Sequence, residues 1–582
     1  MQVLADRVLR QHTEGGLNEA WHGELLDLLA PVMCAFDADM AADALLVQGA
    51  IYAANVLALT LGPAYPKAFN CLVDPVTTLL NRAVVEPRLW PVASNALACL
   101  GTLFSTLGPR LMAQLPTAAS AVVGAIRVSL AMDADGSESE SEGEGEDEGE
   151  GGNMDSVTTT GSAADVSVLQ VSGLAAVHAL VQHLGQFLGP HLDDVMAIVS
   201  ADAFCGGAGV SIVADEEASG PAAAEAVSTT AASLVAKAAA IREDIATLVP
   251  TRIFLTSLYS VYRKATAAGL GADVGAMSRF LGMASRAVAA LDRSAVQQQH
   301  KQLFAFLLEA LDARSAMAAD AEAKEAKRVD GRGVEEEATT TTALNALEDA
   351  ALDCVKELVL KLSDSAFRPM FAKLLSWATG VASTPARLLT LYRLVNLLTD
   401  TLQRFFVPYF AALVEGCVGL LQGGAAEVCS TSAETGRLTA SVLDALRKAF
   451  LYDRNNLVND TRYRMLMPAI VDQLSPAPGA DVSGHAGAEA HLTRVRAVVV
   501  PCITQLAVAA GEEKLWKPMN DLILMQTRHP APAVRRGGLI ALKALHERLG
   551  EELLSLLTDT VPFLAELLEG AFALSHCCVY AR

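Results

Sequence analysis

Apolar positions recur along this chain at steps of three, three and four, and three stretches carry the pattern up to a closing glycine. They are residues 96–108 (ALACLGTLFSTLG), 173–185 (GLAAVHALVQHLG) and 538–550 (GLIALKALHERLG). Superposed, Leu97, Leu174 and Leu539 coincide, then Leu100, Val177 and Leu542, then Leu103, Leu180 and Leu545, then Leu107, Leu184 and Leu549, and finally the three glycines. That spacing lines one face of an α-helix, and glycine is the usual helix stop. A helix of this kind returning along a chain predicts a solenoid of helical hairpins, in which each unit buries its apolar face only against its neighbours.

The clearest unit is residues 528–569. Pro530 and Pro532 mark its entry turn, Val534 opens a stripe running through Leu539, Leu542, Leu545 and Leu549, and a second helix follows from Glu551 with Pro562 breaking or kinking it. Proline before the helix, Val-Arg in its first turn and a length of roughly 40 residues resemble the HEAT repeat. Residues 86–126 follow the same plan, with Pro91 leading and Pro109 and Pro116 punctuating. Further amphipathic segments of helix length are 251–265, 302–313 and 387–405. The expected fold class is all-α: an α-solenoid of HEAT-type helical hairpins with disordered insertions.

Composition shifts divide the array. The expected boundaries are HEAT-like repeats over 1–132, an acidic disordered loop over 133–165, HEAT-like repeats over 166–315, a charged linker over 316–342, a C-terminal HEAT-repeat region over 343–569 and an atypical tail over 570–582. Residues 133–155 hold eleven acidic residues and no basic one, half of the formal net charge of −22. So acidic and apolar-poor a tract cannot offset the entropy of ordering. It reads as a tolerated insertion between repeats, a reading favoured over that of a phosphorylated or basic-partner-binding tract. Shorter breaks at 205–221, 423–436 and 475–489 fall where a solenoid accepts insertions, in the loops between helices.

Hydrophobic residues make up 52% of the chain and aromatics only 5%, so alanine and leucine, both helix formers, supply the apolar mass. Residues 44–65 carry no charge and are long enough to span a bilayer. Gln48, Asn55 and Pro63 favour instead a helix packed on both sides within the array, and no membrane partner is expected. The N-terminal residues lack the continuous apolar core of a signal peptide. No CxxC pair occurs, and Cys99, Cys354, Cys417 and Cys502 sit in apolar helical runs, as reduced buried thiols do.

A search for chemistry returns little. No Gly-Lys pair exists to close a phosphate-binding loop, and no GxSxG elbow is present. Gly269, Gly271 and Gly275 have the wrong spacing for a dinucleotide fingerprint and read as loop glycines. His485 and His491 lie in a Gly/Ala-rich stretch without a third ligand, and His178 and His183 fall on a polar helix face, where solvation is expected. No enzyme activity, metal, cofactor or small-molecule substrate is expected. The basic residues carry more weight. Lys514 and Lys517 flank Trp516, while Arg528, His529, Arg535 and Arg536 surround the next inter-repeat turn. Lys514, Lys517, Arg528, Arg535 and Arg536 are the candidate contacts for RNA or an acidic partner, since a helix start also attracts anions. The competing and favoured reading is that an arginine here braces neighbouring repeats, with Trp516 packed in the core.

Several peptides are more specific than the repeat. Residues 303–314 (LFAFLLEALDAR), 361–378 (KLSDSAFRPMFAKLLSWA), 465–474 (MLMPAIVDQL), 501–507 (PCITQLA), 515–520 (LWKPMN) and 561–568 (VPFLAELL) resemble, in order, the C-terminal region of a nucleolar HEAT-repeat family. The family is called HEAT repeat-containing protein 1 in animals and U3 small nucleolar RNA-associated protein 10 in fungi. The resemblance covers roughly 251–569; upstream only the repeat pattern matches. It implies a nuclear, nucleolar, non-catalytic scaffold of ribosome biogenesis. Such a component of the small-subunit processome is needed for precursor ribosomal RNA processing and linked to ribosomal DNA transcription. Its implied partners are other processome proteins, with precursor ribosomal RNA and U3 small nucleolar RNA as further candidates. The alternative from fold alone is a HEAT-type transport carrier or adaptor holding cargo proteins on a concave surface. Family members are much longer, so Met1 is expected to fall within a larger array. The ending GAFALSHCCVYAR departs from the family's charged terminal helix, so 570–582 is expected to pack poorly, as a truncated end.

Overall fold

Helices make up most of the described residues, joined by short turns, and no strand occurs among them. The computed structural model describes residues 43–138, 163–204, 221–267, 273–325, 334–380, 383–429, 431–454, 457–476 and 484–580, with isolated positions between 29 and 34. The helices of eight residues or more begin with α1 (Ala44–Leu61), α2 (Val73–Ala83), α3 (Trp90–Leu107), α4 (Leu115–Glu138), α5 (Ala163–Leu184), α6 (Leu192–Val199) and α7 (Pro221–Leu248). They continue with α8 (Thr251–Ala267), α9 (Val274–Ala290), α10 (Arg293–Glu325), α11 (Val334–Lys361), α12 (Asp364–Thr379), α13 (Pro385–Leu402) and α14 (Ser432–Leu451). The last are α15 (Asp460–Val471), α16 (His485–Arg494), α17 (Val500–Ala510), α18 (Glu513–Gln526), α19 (Pro532–Leu549) and α20 (Leu557–Tyr580). They form two units, one of Met1–Asp292 with Asp320–Cys354 and one of Arg293–Ala319 with Val355–Arg582.

Within each unit the helices stack in two rows, the arrangement of HEAT-type hairpins. In the first unit α1 packs on α3, α3 on α5, α5 on α7 and α7 on α9, while α2, α4, α6 and α8 form the second row. In the second unit α13 packs on α14, α14 on α17 and α17 on α19, with α15, α18 and α20 alongside. The first row carries the repeated apolar face. Leu97, Leu100 and Leu103 of α3 and Leu174, Val177 and Leu180 of α5 are all 0% exposed. Burying one such side chain contributes about 1.5–3 kcal/mol, so a stripe of them holds a helix that has little amphipathic contrast overall.

A fourth copy, hidden from the sequence pattern, lies in α13. Its Tyr392, Val395, Leu398 and Leu402 take the stripe positions, and the first three are 2%, 0% and 1% exposed. The closing residue is Gln403 in place of glycine, at φ 49°, ψ −123°, against φ 50°, ψ −133° for Gly108 and φ 58°, ψ −125° for Gly550. In all three the N–H of this residue donates to the carbonyl four residues back, and a short 3₁₀ turn follows. Three residues on, Leu111, Leu188, Phe406 and Leu553 are buried in the four copies. Gly185 is the exception at the closing position, entering its 3₁₀ turn without a positive φ.

Several expectations change. Leu539 is 37% exposed although its counterparts are buried, because Gly537 and Gly538 take the inward positions of α19. A Cβ on Gly538 would lie 3.3 Å from Thr527 Cγ2 and 3.4 Å from the Ile523 carbonyl oxygen, so close approach selects glycine there. Among the described residues helix α1 is packed on one side: Val47, Ile51, Ala54 and Ala58 are buried, while Leu45, Leu46, Tyr52 and Leu59 are exposed. By length and composition alone, four helices among the described residues could cross a membrane: Ala44–Leu61, Leu115–Met132, Asp165–Phe187 and His485–Ala510. His485 and His491 stand on α16, not in a loop, and His491 is buried with Nε2 3.1 Å from the Leu474 carbonyl oxygen. His178 is half-buried and has a protein partner besides solvent: its Nε2 lies 2.9 Å from Asp244 Oδ2. Gly275 belongs to the first turn of α9, whereas Gly269 and Gly271 lie outside the described residues. Pro562 sits inside α20 without ending it.

Helix α10 continues through Glu325 and α11 begins at Val334. The middle of the acidic tract, 139–162, and the side chains of 569–582 lie outside the described residues, and with them the expected disorder and poor packing. The four cysteines Cys99, Cys354, Cys417 and Cys502 are buried thiols outside any disulfide. Burial pushes the Cys99 and Cys417 thiols up to about 12, which removes the reactive thiolate at neutral pH.

Candidate partner-contact surface

Helix α18 presents two faces set by its sequence. Leu515, Trp516, Met519 and Ile523 point inward, and the Trp516 indole N–H donates to the Ala507 carbonyl at 2.9 Å. The tryptophan is therefore a core residue. Tyr463 donates its hydroxyl to the Leu515 carbonyl at 2.7 Å, and Asn520 donates to Thr560 Oγ1 at 3.2 Å, fixing α18 against α15 and α20. Lys514 and Lys517 fall on the opposite face, with side chains 66% and 60% exposed.

Each basic candidate already has a local counterpart. Lys514 Nζ lies 2.7 Å from Glu512 and 3.9 Å from Asp460, and the Glu512 hydrogen bond holds its ammonium above the usual lysine range. Lys517 Nζ is 3.2 Å from Asp559. Arg528 donates from Nε and Nη2 to Glu566 at 3.0 and 2.6 Å, and its guanidinium stands 4.2 Å from the Phe563 ring centroid. Arg536 donates to Glu489 at 3.3 Å. Arg535 is different: its Nη1 donates to the carbonyls of His529 and Pro530 at 3.0 and 2.8 Å, tying down the turn ahead of α19. That is a bracing contact, with no carboxylate involved.

Arg528, Arg535 and Arg536 thus lie about the α18–α19 turn, while Lys514 and Lys517 stand near the start of α18, at its other end. The carboxylates of Asp460, Glu489, Asp559 and Glu566 gather with them, from other helices that no local pattern connects. The result is a mixed-charge surface. Ion pairs this exposed are weak, so their cations exchange readily with an incoming anion.

The peptide around Trp377 turns out to be structural. Its indole N–H donates to Asp312 Oδ1 at 2.9 Å, and Arg387 donates to the same oxygen from Nε at 2.9 Å while stacking 5.3 Å from the indole centroid. Elsewhere, the cleft lined by Arg242, Ser278, Arg279, Arg286 and Asp353 has its arginines partly committed. Arg242 donates to the Val199 carbonyl, and Arg279 to the Ser200 carbonyl and to Asp202. Among the described residues no three His, Cys, Asp or Glu side chains converge on a metal position.

Comparison with known proteins adds to this geometry. Residues 295–458 match the family model described as the BP28CT (NUC211) domain. A protein of Arabidopsis thaliana described as uncharacterized is 28% identical over 550 residues, covering 90% of this chain and 21% of that protein. HEAT repeat-containing protein 1 of Homo sapiens is 26% identical over 535 residues, with the same 90% and 21% coverage. U3 small nucleolar RNA-associated protein 10 of Aspergillus niger is 27% identical over 346 residues, 56% of this chain and 18% of that one. The chain spans about a fifth of the length of the curated relatives it matches. Among solved structures, importin β matches 97% of this chain and 66% of its own at 12% identity, with a TM-score of 0.33.

Proposed function

We propose, from its homology with HEAT repeat-containing protein 1 and U3 small nucleolar RNA-associated protein 10, that this chain is part of a non-catalytic scaffold for ribosome biogenesis. The homology along most of the chain carries the reading. The order of the peptides at 303–314, 361–378, 465–474, 501–507, 515–520 and 561–568 supports it. A stack of helical hairpins supports it physically, since such an array offers extended surface and no enclosed reaction site. The proposal extends to the finer terms that the family resemblance implies: a component of the small-subunit processome, nucleolar, acting in precursor ribosomal RNA processing alongside U3 small nucleolar RNA, and linked to ribosomal DNA transcription. Residues 343–569 would form the C-terminal repeat region of that scaffold. Lys514, Lys517, Arg528 and Arg536 would meet an acidic partner or RNA by exchanging their present carboxylates, with Arg535 bracing the turn beneath them.

The test is affinity purification of the tagged chain from nuclear extract, with and without ribonuclease. Processome proteins and precursor ribosomal RNA are the expected recovery. Recovery of a transport GTPase with diverse cargo would overturn the scaffold in favour of a carrier. In the same assay Arg536→Glu is expected to weaken recovery with the unfolding midpoint unchanged. Arg535→Glu is expected to lower stability by about 1–2 kcal/mol through the lost carbonyl contacts. Equal stability of the two variants would remove the bracing role.

A further inference from the structure

The 3₁₀ turn after α13 carries three anomalies at consecutive residues. Gln403 is the single non-glycine residue with positive φ among the described residues. Arg404 has no carboxylate partner among them, and its guanidinium lies 4.9 Å from the centroid of the Phe405 ring. Phe405 is 66% exposed. The repeat shows why this exposure is built in. Two residues past the closing position the chain has Arg110, Phe187, Phe405 and Glu552, and one residue later comes the buried anchor, here Phe406. The turn therefore aims the residue before the anchor outward in every copy. Arginine and glutamate suit that position, and Phe187 is partly covered, yet Phe405 stands in solvent.

The anchor beneath is rigid. Phe406 packs 5.5 Å from Phe371 with its ring edge-on, and Tyr409 lies 4.7 Å from Phe367 and 6.0 Å from Phe406 between ring centroids. Arg368 stands 6.0 Å from the Tyr409 ring centroid, 73% exposed. Asp364, the acidic group on that side, already accepts from Tyr409 and Arg368. The chain thus fixes an exposed ring on a firm base, with a guanidinium against it and a second arginine–aromatic pair on the same cluster.

We infer that Phe405 and Arg404 form a contact for single-stranded RNA, the ring stacking on an unpaired base and the guanidinium meeting the adjacent phosphate. Of the apolar residues that follow, Phe406, Val407 and Phe410 are buried and Pro408 is exposed, so no second large apolar side chain of this turn stands open beside the ring. The feature is thus a lone ring flanked by positive charge, in a chain whose net charge is −22. An anchor for a protein pocket sits within a wider apolar patch, whereas stacking platforms combine single rings with cations that track a backbone. This contact lies outside the mixed-charge surface at α18–α19 and does not rest on the ribosome-assembly reading. A failed recovery of processome proteins would leave the following titration intact.

The experiment is a fluorescence-anisotropy titration of the full chain with a labelled, unstructured oligoribonucleotide across a salt series, with circular dichroism as the folding control. Phe405→Ala and Phe405→Leu are expected to weaken binding about tenfold, as loss of one stacked base does, while Phe405→Trp keeps it. Arg404→Gln is expected to weaken binding and reduce the slope of log affinity against log salt by about 0.7, the signature of one lost phosphate contact. Unchanged affinity in Phe405→Leu, or duplex RNA bound as tightly as single strand, would overturn the inference. So would a Phe405→Ala chain that keeps RNA affinity but loses a protein in purification, which would assign the ring to a protein partner.

Discussion

At the residue scale, a left-handed φ closes a helix cheaply only when no Cβ is present. Gly108 and Gly550 meet that condition; Gln403 adopts the same dihedrals with a side chain. Such a residue stores about 1–3 kcal/mol of strain, partly offset by glycine's greater freedom in the unfolded chain. Gln403→Gly is therefore expected to stabilise the protein by about 1 kcal/mol, read as a higher denaturant midpoint at unchanged slope. His491 offers a second test. Burial, and then the nearby Arg494 charge, hold its imidazole below the usual histidine range, while its contact with the Leu474 carbonyl opposes the shift. The unfolded chain takes up this proton at a higher pH than the folded one. The stability contribution is thus complete above about pH 6.5 and is lost as pH falls toward the depressed folded value. Replacing His491 with Gln is expected to flatten that slope in unfolding midpoints measured between neutral and mildly acidic pH. Neither residue announces itself in the sequence: Gln403 breaks the glycine pattern that would have revealed it, and His491 is buried by a carbonyl from a different helix.

At the element scale, the stacked row depends on how closely successive helices approach. A Cβ on Gly101 of α3 would lie 3.3 Å from the Ala176 Cα of α5, and one on Gly173 would lie 2.6 Å from Ile126 Cγ1 of α4. Gly101→Leu is expected to destabilise by about 1–3 kcal/mol through overpacking, seen as a lower thermal midpoint. A substitution of Gly282, with nothing within 4 Å of its Cβ position, serves as the mild control. The stripe positions of α3 and α5 were readable because the helix period is fixed by backbone hydrogen bonding. The inward glycines of α19 were not, because a leucine-rich pattern looks the same whichever of two adjacent positions meets a neighbour. Helices through 316–325 and from Val334 lie in a charged stretch whose composition suggests a linker. The long run from His485 to Ala510 contains a wider π turn at Val495–Val499 just before Pro501, whose missing N–H and ring an ordinary α turn would not accommodate.

At the scale of the whole molecule, charge and fold separate. Residues 139–162 hold eight carboxylates and no cation and join α4 to α5, which pack together. Replacing that stretch with a short Gly/Ser linker is expected to leave the helical circular-dichroism signal and the unfolding midpoint unchanged and to shift ion-exchange elution. A loss of midpoint would show that the tract is part of the fold. Sequence by itself determined the helical class, the period of the buried stripe, the burial of Trp516 and the likeness to HEAT repeat-containing protein 1. Each of these resides in local propensity, in i to i+4 spacing or in short peptides. Only the tertiary structure decided that α13 is a fourth copy, that Lys517, Arg528 and Arg536 are matched by carboxylates from distant helices, and that Arg535 holds a turn. It also decided that Phe405 faces solvent. Those facts depend on which residues meet across helices far apart in sequence, and the energy of such meetings leaves no periodic trace along the chain.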